Sequence, residues 1–227
     1  MYRLAFALLL APLGAQAQAP ENLFNLVTFS AQAEREIPND LLTAILAVES
    51  EGADPARLAE DANRTMQTAL VTARGYRGVQ ARTGNYQTNA RYDKQKVVGW
   101  RVRQELRLES ADFTAVTELI GKLQTSLIVS AITLSVSPDT RRRTENALIA
   151  EALAAFDERA RIVRDAAKER SFRVRNLQIS TSTPIYPQPF AGALARSAPT
   201  SSAAVAPAIE AGTSRILITV SGTIQLQ

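Results

Sequence analysis

Residues 100–109, WRVRQELRLE, alternate between apolar and charged side chains, and this alternation restricts the fold more than any other feature of the chain. A helix would scatter the apolar side chains around its circumference, whereas a strand collects them on one face. We therefore predict a β-strand with one apolar and one ionic face, as in an antiparallel sheet that is covered on one side only. We expect its apolar face to pack under the helices, with Trp100 and Leu106 buried. Its apolar residues are Trp100, Val102, Leu106 and Leu108, with Gln104 as the exception, and its charged residues are Arg101, Arg103, Glu105, Arg107 and Glu109.

The residue types that are missing limit the chemistry. The 227 residues include no Cys and no His, which excludes thiol nucleophiles, histidine general bases, disulfides and the usual zinc ligands. The lysines and the paired acids lie in no recognisable motif, so we predict no catalytic residue, no metal site, no cofactor and no enzymatic activity. The alternative is a small hydrolase or lyase that uses carboxylates alone, which a pocket with two buried acids would favour.

The N-terminus, MYRLAFALLLAPLGAQAQAP, has the composition of a secretory signal peptide. Arg3 precedes a short apolar run, and an A-x-A cleavage site ends at Ala17, so we expect residues 1–17 to be removed before Gln18. The apolar run is about half of the roughly 20 residues that a membrane span needs, and we expect no transmembrane span in the mature chain. An uncleaved interfacial helix is the alternative.

Capping residues and apolar spacing predict three helices. Asp54-Pro55, Asp112 and Ser137-Pro138 have the side chains of N-caps, two of them followed by a proline in the first turn. Apolar residues then recur every three or four positions, as on the buried face of a helix. We expect the first helix to end at Gly75 and the third to reach about Arg170.

Seven stretches are typical of strands. The short turn Pro38-Asn39-Asp40 favours a hairpin between the first two, although the apolar run of the second is also compatible with a helix. The third and fourth predict a long hairpin over a turn near Asp93-Lys94. The stretches cover residues 26–34, 41–51, 78–92, 96–110, 126–137, 171–180 and 214–227.

The order of these elements, β-β-α-β-β-α-β-α-β-loop-β, predicts the α+β class. We expect one antiparallel sheet of hairpin-paired strands with the helices packed on one face, in a single domain over residues 18–227. Residues 181–213 are rich in Pro, Ala and Ser, which indicates an irregular excursion before the chain returns to the sheet with its last strand.

The charges are unevenly distributed along the chain. Residues 21–73 have a balance of −6, and residues 74–107 have a balance of +7. Such a dipolar molecule is suited to self-association or to an acidic partner in the cell envelope, and we expect no nucleic-acid partner. The triplet Arg141-Arg142-Arg143 could contact phosphates or anionic lipid, but a solvated first helical turn is the favoured interpretation.

Four stretches of the sequence resemble the SIMPL-domain family, a group of exported bacterial proteins. They are LLTAILAVESEGADPARLAEDANRTMQTAL, VVGWRVRQELRLESADFTAVTELIGKL, SVSPDTRRRTENALIAEALAAFDERARIV and the closing strand SRILITVSGTIQLQ. The resemblance runs from about Val27 to Gln227 and contains no catalytic signature. It implies a non-enzymatic protein of the periplasm, with outer-membrane association as a further expectation, that is linked to stress defence and tends to form oligomers.

The ionic side of residues 100–109 is the candidate site. Side chains at two-residue intervals on a stiff strand give a flat stripe roughly 20 Å long, and small ligands prefer concave sites. Glu105 and Glu109, interleaved among the arginines, make the stripe self-complementary, as an antiparallel contact between symmetry-related copies requires. We therefore predict a homo-oligomer contact, with a solvated surface as the alternative, formed by Arg101, Arg103, Glu105, Arg107 and Glu109.

Overall fold

The computed structural model describes residues 24–182 and 210–227. The order of elements and the α+β class predicted from the sequence are both confirmed. The expected signal peptide and residues 183–209 of the expected excursion lie outside the described residues, and the excursion's outermost residues belong to strands. The elements are β1 (Leu26–Pro38), β2 (Leu41–Gly52), α1 (Pro55–Arg74), β3 (Gln80–Asp93), β4 (Lys96–Ser110), α2 (Phe113–Leu123), β5 (Ile128–Ser135), α3 (Pro138–Ala166), β6 (Phe172–Ser182) and β7 (Thr213–Leu226).

The strands form two antiparallel sheets, which corrects the expectation of a single sheet. Sheet A has the order β1-β7-β6, and sheet B has the order β3-β4-β2-β5. The predicted hairpin of the first two strands is wrong, because β1 pairs along its length with β7 and β2 pairs with β4 and β5. The turn signal between β1 and β2 marks the place where the chain leaves one sheet and enters the other.

Asn39 and Asp40 form this junction between the sheets. The Asn39 N–H donates to the Gly212 carbonyl next to sheet A, and the Asp40 N–H donates to the Ser135 carbonyl at the end of β5, each over 3.1 Å. The two residues therefore satisfy backbone groups of different sheets, which a hairpin turn would not do. The Asn39 side chain strengthens the contact with sheet A, since its Oδ1 accepts a 2.6 Å hydrogen bond from Ser214 Oγ.

The Asp40 side chain holds the start of α3 at the junction. Its carboxylate accepts hydrogen bonds from the Ser137 N–H, from Ser137 Oγ at 2.8 Å and from Thr140 Oγ1 at 2.6 Å. Burial of Asp40 opposes its ionisation, but the hydrogen bonds from Thr140 and Ser137 outweigh this effect and keep its pKa below the ordinary value. The chain crosses between the sheets twice, before β2 and before α3, and Asp40 ties the two crossings together.

Sheet A buries one face against α3. Alternate residues of the central strand β7, among them Ile216, Ile218 and Ile224, are fully buried. The rings of Phe29 in β1 and Phe156 in α3 stack at 4.5 Å between centroids. Gly222 lies opposite Phe29 in the sheet, and a Cβ there would meet the Phe156 ring at 2.9 Å. The central strand β7 thus has a glycine at the position where a side chain would overlap the stacked Phe29 and Phe156 rings. 

Sheet B buries one face against α1 and α2. The predicted caps of all three helices are confirmed, and so is Gly75 as the residue that ends α1. The third helix is shorter than expected, because it ends at Ala166. Lys168 has a positive φ of 59°, which is incompatible with a right-handed helix. The buried side chains of this half are Leu42, Ala44, Leu46, Val48, Ala62, Met66, Ala69, Ala73, Val102, Leu106, Leu108, Val116, Leu119, Ile120, Leu123 and Leu127.

The hairpin of β3 and β4 is confirmed. Its turn residues, Lys94 and Gln95, have φ angles of 43° and 71°, as a two-residue type I′ turn requires. The expectation of a buried Trp100 needs correction: this side chain is only partly buried, because it pairs with Gly52 at the very end of β2. Leu106, by contrast, is fully buried as expected.

Candidate functional site

The predicted stripe lies on the face of sheet B opposite its helices. Within β4 the apolar residues such as Val102 and Leu106 are buried toward α1 and α2, so the alternate residues point the other way. The neighbouring strands contribute further charged or polar side chains to the same face. We call this surface the ionic face; it consists of Glu49, Glu51, Arg91, Arg101, Arg103, Glu105, Arg107, Glu109 and Ser130.

Cross-strand ion pairs join β4 to β2 at one end of the ionic face. Glu49 lies directly opposite Arg103, and Glu51 lies directly opposite Arg101. Arg103 Nη1 is 3.1 Å from Glu49 Oε2, and Arg101 Nη2 is 2.6 Å from Glu51 Oε1. Arg91 of β3 also contacts Glu51, at 2.6 Å. The arginines of this end are thus neutralised within the same chain.

The other end of the ionic face is paired along β4 itself. Arg107 Nη2 is 2.6 Å from Glu109 Oε1, and Arg103 Nη2 is 3.4 Å from Glu105 Oε1. Arg103 also donates a 2.7 Å hydrogen bond to Ser130 Oγ of β5. The ionic face is therefore a network of ion pairs and hydrogen bonds that extends from β3 across to β5.

The electrostatics of the ionic face favour contact with another charged surface. The side chains keep between a quarter and a half of their surface in solvent, and exposed ion pairs of this kind each contribute only about 0–1 kcal/mol to stability. Exchanging one such partner for another therefore costs little. Each guanidinium has five N–H donors, so an arginine that already binds one carboxylate can still bind a second.

The structure brings all five predicted residues, Arg101, Arg103, Glu105, Arg107 and Glu109, onto one face. Sequence reasoning missed the acidic half supplied by β2, because β2 was expected to pair with β1. The alternation of Glu49 and Glu51 in AVESE was the available signal. It became informative only once β2 was known to lie beside β4.

Other kinds of site find no support in the part of the chain that is described. Across residues 24–182 and 210–227 no three carboxylates are close enough to hold a metal ion. The buried polar side chains in these ranges are hydroxyl or amide groups: Asn39, Thr43, Ser110, Thr144, Ser214 and Gln225. Among the three described helices, none is both long and apolar enough to cross a bilayer.

One family of known proteins matches this chain. The family is described as SIMPL, protein of unknown function (DUF541), and its sequence model covers residues 27–224. This range includes both sheets, all three helices and the whole of the ionic face. A comparison with curated proteins found no match.

Proposed function

The chain belongs to the SIMPL family, and on this premise we propose that it is a non-enzymatic protein of the periplasm that acts by assembling with copies of itself or with an acidic envelope partner. An oligomer of this kind would serve the envelope during stress, including oxidative stress. The signal-peptide composition of residues 1–17 supports the compartment, since it is typical of exported proteins.

The observation that carries the proposal is the ionic face. Its side chains keep part of their surface in solvent, and it presents both arginines and glutamates at the two-residue spacing of a strand. Two copies related by a two-fold axis near residue 106 would place Arg103 of one opposite Glu109 of the other, and Glu105 opposite Arg107. Burial of so many charges would be costly, so we expect a hydrated contact in which ion pairs are exchanged rather than an apolar core.

Native mass measurements test the proposal. Sedimentation of the exported protein at low and high salt should show larger species at low salt, because salt screens exposed charges over about 10 Å at 0.1 M. A variant with Gln at Arg101, Arg103 and Arg107 should sediment as the smaller species at both salt concentrations. Circular dichroism should be unchanged, since these side chains are partly exposed.

A matched control separates position from charge. Replacement of Arg141, Arg142 and Arg143 by Gln removes the same charge from α3, which packs against sheet A and contributes nothing to the ionic face. This control should associate like the wild type. A native mass that is the same for wild type and stripe variant, at both salt concentrations, would contradict the proposal.

A carboxylate-dependent hydrolase or lyase remains the alternative. Glu49 and Glu51, two acids of the ionic face that share Arg101, are partly exposed and contact arginines. No buried pair of carboxylates supports this chemistry among residues 24–182 and 210–227, and we do not propose it.

A further inference from the structure

The hairpin of β3 and β4 extends beyond the rest of sheet B. Pairing between β2 and β4 ends at Gly52 and Trp100, whereas pairing between β3 and β4 continues to Asp93 and Lys96. We call residues 91–99 the hairpin arm. At about 3.4 Å per residue it projects roughly 15 Å past the last paired residue of β2.

The hairpin arm exposes apolar side chains next to one another. Tyr92 lies directly opposite Val97, and Val98 is the extra residue of a β-bulge. Their exposed fractions are 67%, 50% and 56%, respectively. Tyr92 is two residues beyond Ala90, which pairs with Trp100, so the partly buried indole lies on the same face. The apolar face of sheet B thus continues into the arm, where the side chains are exposed.

The end of the hairpin arm is basic. Lys94 lies in the turn and Lys96 follows it opposite Asp93, so these three residues have a net charge of +1, and neither lysine forms an ion pair within the described ranges. Arg91, which lies at the base of the arm, is held by Glu51 at 2.6 Å on the ionic face. The two lysines are therefore the cations that remain available beside the exposed apolar side chains.

We propose that the hairpin arm binds to the surface of an anionic lipid bilayer. A Tyr and a Trp beside apolar side chains suit the boundary between headgroups and acyl chains, where amphipathic rings are enriched. Lys94 and Lys96 have long apolar stems that let their ammonium groups reach lipid phosphates from the same position. The arm would lie along the surface with Tyr92 and Val97 toward the acyl chains and with Val98 exposed at the bulge beside them.

The size of the exposed apolar area favours a bilayer over a protein partner. Three partly exposed side chains offer roughly 300 Å², whereas a stable protein interface buries about 800 Å² on each partner. A fluid bilayer needs no complementary shape, and its anionic phosphates can pair with the two lysines. The proposed assembly uses the opposite face of sheet B, so neither proposal depends on the other.

Vesicle binding tests the proposal directly. The exported protein is mixed with sucrose-loaded vesicles of phosphatidylcholine alone or with phosphatidylglycerol, after its intact mass has shown that no apolar N-terminus is retained. We expect co-sedimentation with the anionic vesicles and little with the neutral ones. Trp100 is the single tryptophan of the chain, so its emission should shift to the blue on binding.

Paired variants locate the contact. V97S/V98S should weaken binding at least tenfold and abolish the shift in Trp100 emission, whereas V71S/I162S replaces two equally exposed apolar residues on α1 and α3 and should bind like the wild type. K94Q/K96Q should weaken binding about thirtyfold at low salt, since two basic residues near an anionic surface account for this much. R141Q/R143Q removes the same charge elsewhere and should have little effect.

Three outcomes would overturn the proposal. The first is that V97S/V98S, folded by circular dichroism, binds anionic vesicles as tightly as the wild type does. The second is that R141Q/R143Q loses as much binding as K94Q/K96Q, because the attraction would then be unspecific. The third is that vesicles bind no protein while V97S/V98S lowers the native mass in solution, which would identify a second copy as the arm's partner.

Discussion

Replacing Asp40 with Ala should destabilise the protein by about 2–4 kcal/mol. The carboxylate accepts three hydrogen bonds, one from the Ser137 N–H and two from the hydroxyls of Ser137 and Thr140. A hydrogen bond to a charged group contributes about 1.5–3 kcal/mol. The full sum of three such bonds is not expected, because the two hydroxyls can turn toward water and such effects are not additive.

The contribution of Asp40 should also depend on pH. Hydrogen bonds to its charged form lower the pKa in the folded state, so the unfolded chain binds the proton more readily. The stabilisation is fully present above the ordinary pKa of an aspartate and is lost as the pH falls through the lower folded-state pKa. The difference between wild type and variant should therefore be constant near neutral pH and should shrink in acid.

Urea unfolding at pH 7 and at several acidic pH values measures this difference. Asp139→Ala is the matched control, because Asp139 lies between Ser137 and Thr140 in the first turn of α3 but is exposed and contacts Arg142 at 2.7 Å. The control should cost less than about 0.5 kcal/mol. A loss below 0.5 kcal/mol for Asp40→Ala, or a loss that grows in acid, would refute the role assigned to the junction.

Three further predictions concern the core, a turn and the N-terminus. Gly222→Ala should cost about 1–3 kcal/mol in urea unfolding, because the added Cβ would lie 2.5 Å from the Asn176 carbonyl oxygen, and no loss would contradict the packing described. Lys94→Asn combined with Gln95→Gly should stabilise the fold by about 1 kcal/mol, since a non-Gly residue held at a positive φ costs roughly 1–3 kcal/mol and the greater unfolded-state entropy of Gly offsets part of the gain; a lower thermal midpoint would count against the type I′ turn. Intact-mass spectrometry of the exported protein should give a chain that begins at Gln18, and a retained Met1 would exclude the proposed cleavage.

The sequence was a good guide to local structure. Asp54, Asp112 and Ser137 cap helices as expected, because an N-cap depends on a side chain and backbone groups two or three residues away. The hairpin of β3 and β4 is equally local, since two residues determine its turn. The charged and apolar alternation of β4 placed five site residues on one face for the same reason.

Long-range pairing could not be read in the same way. β1 and β2 are separated by only two residues, yet they belong to different sheets. The partner of β1 is the last strand, and nothing in either segment specifies the other, because many alternating strands would fit. The burial of Trp100 was overestimated for the same reason, since it depends on where β2 ends beside β4.

In the sequence, all strands of sheet B lie between the first strand of sheet A and its other two strands, and this order has a consequence for how the chain folds. All of sheet B comes from residues 41–135, whereas sheet A joins β1 to a strand that starts at residue 213. The inner half can therefore fold before the C-terminal strand is in place. Once it has folded, the 3.1 Å hydrogen bond from Asp40 to Ser135 closes a loop of about a hundred residues and brings β1 close to the start of α3. The contacts within sheet B therefore offset the entropy lost in closing that loop before sheet A forms, and β7 then pairs with β1 on one side and with β6 on the other as the last segment to arrive.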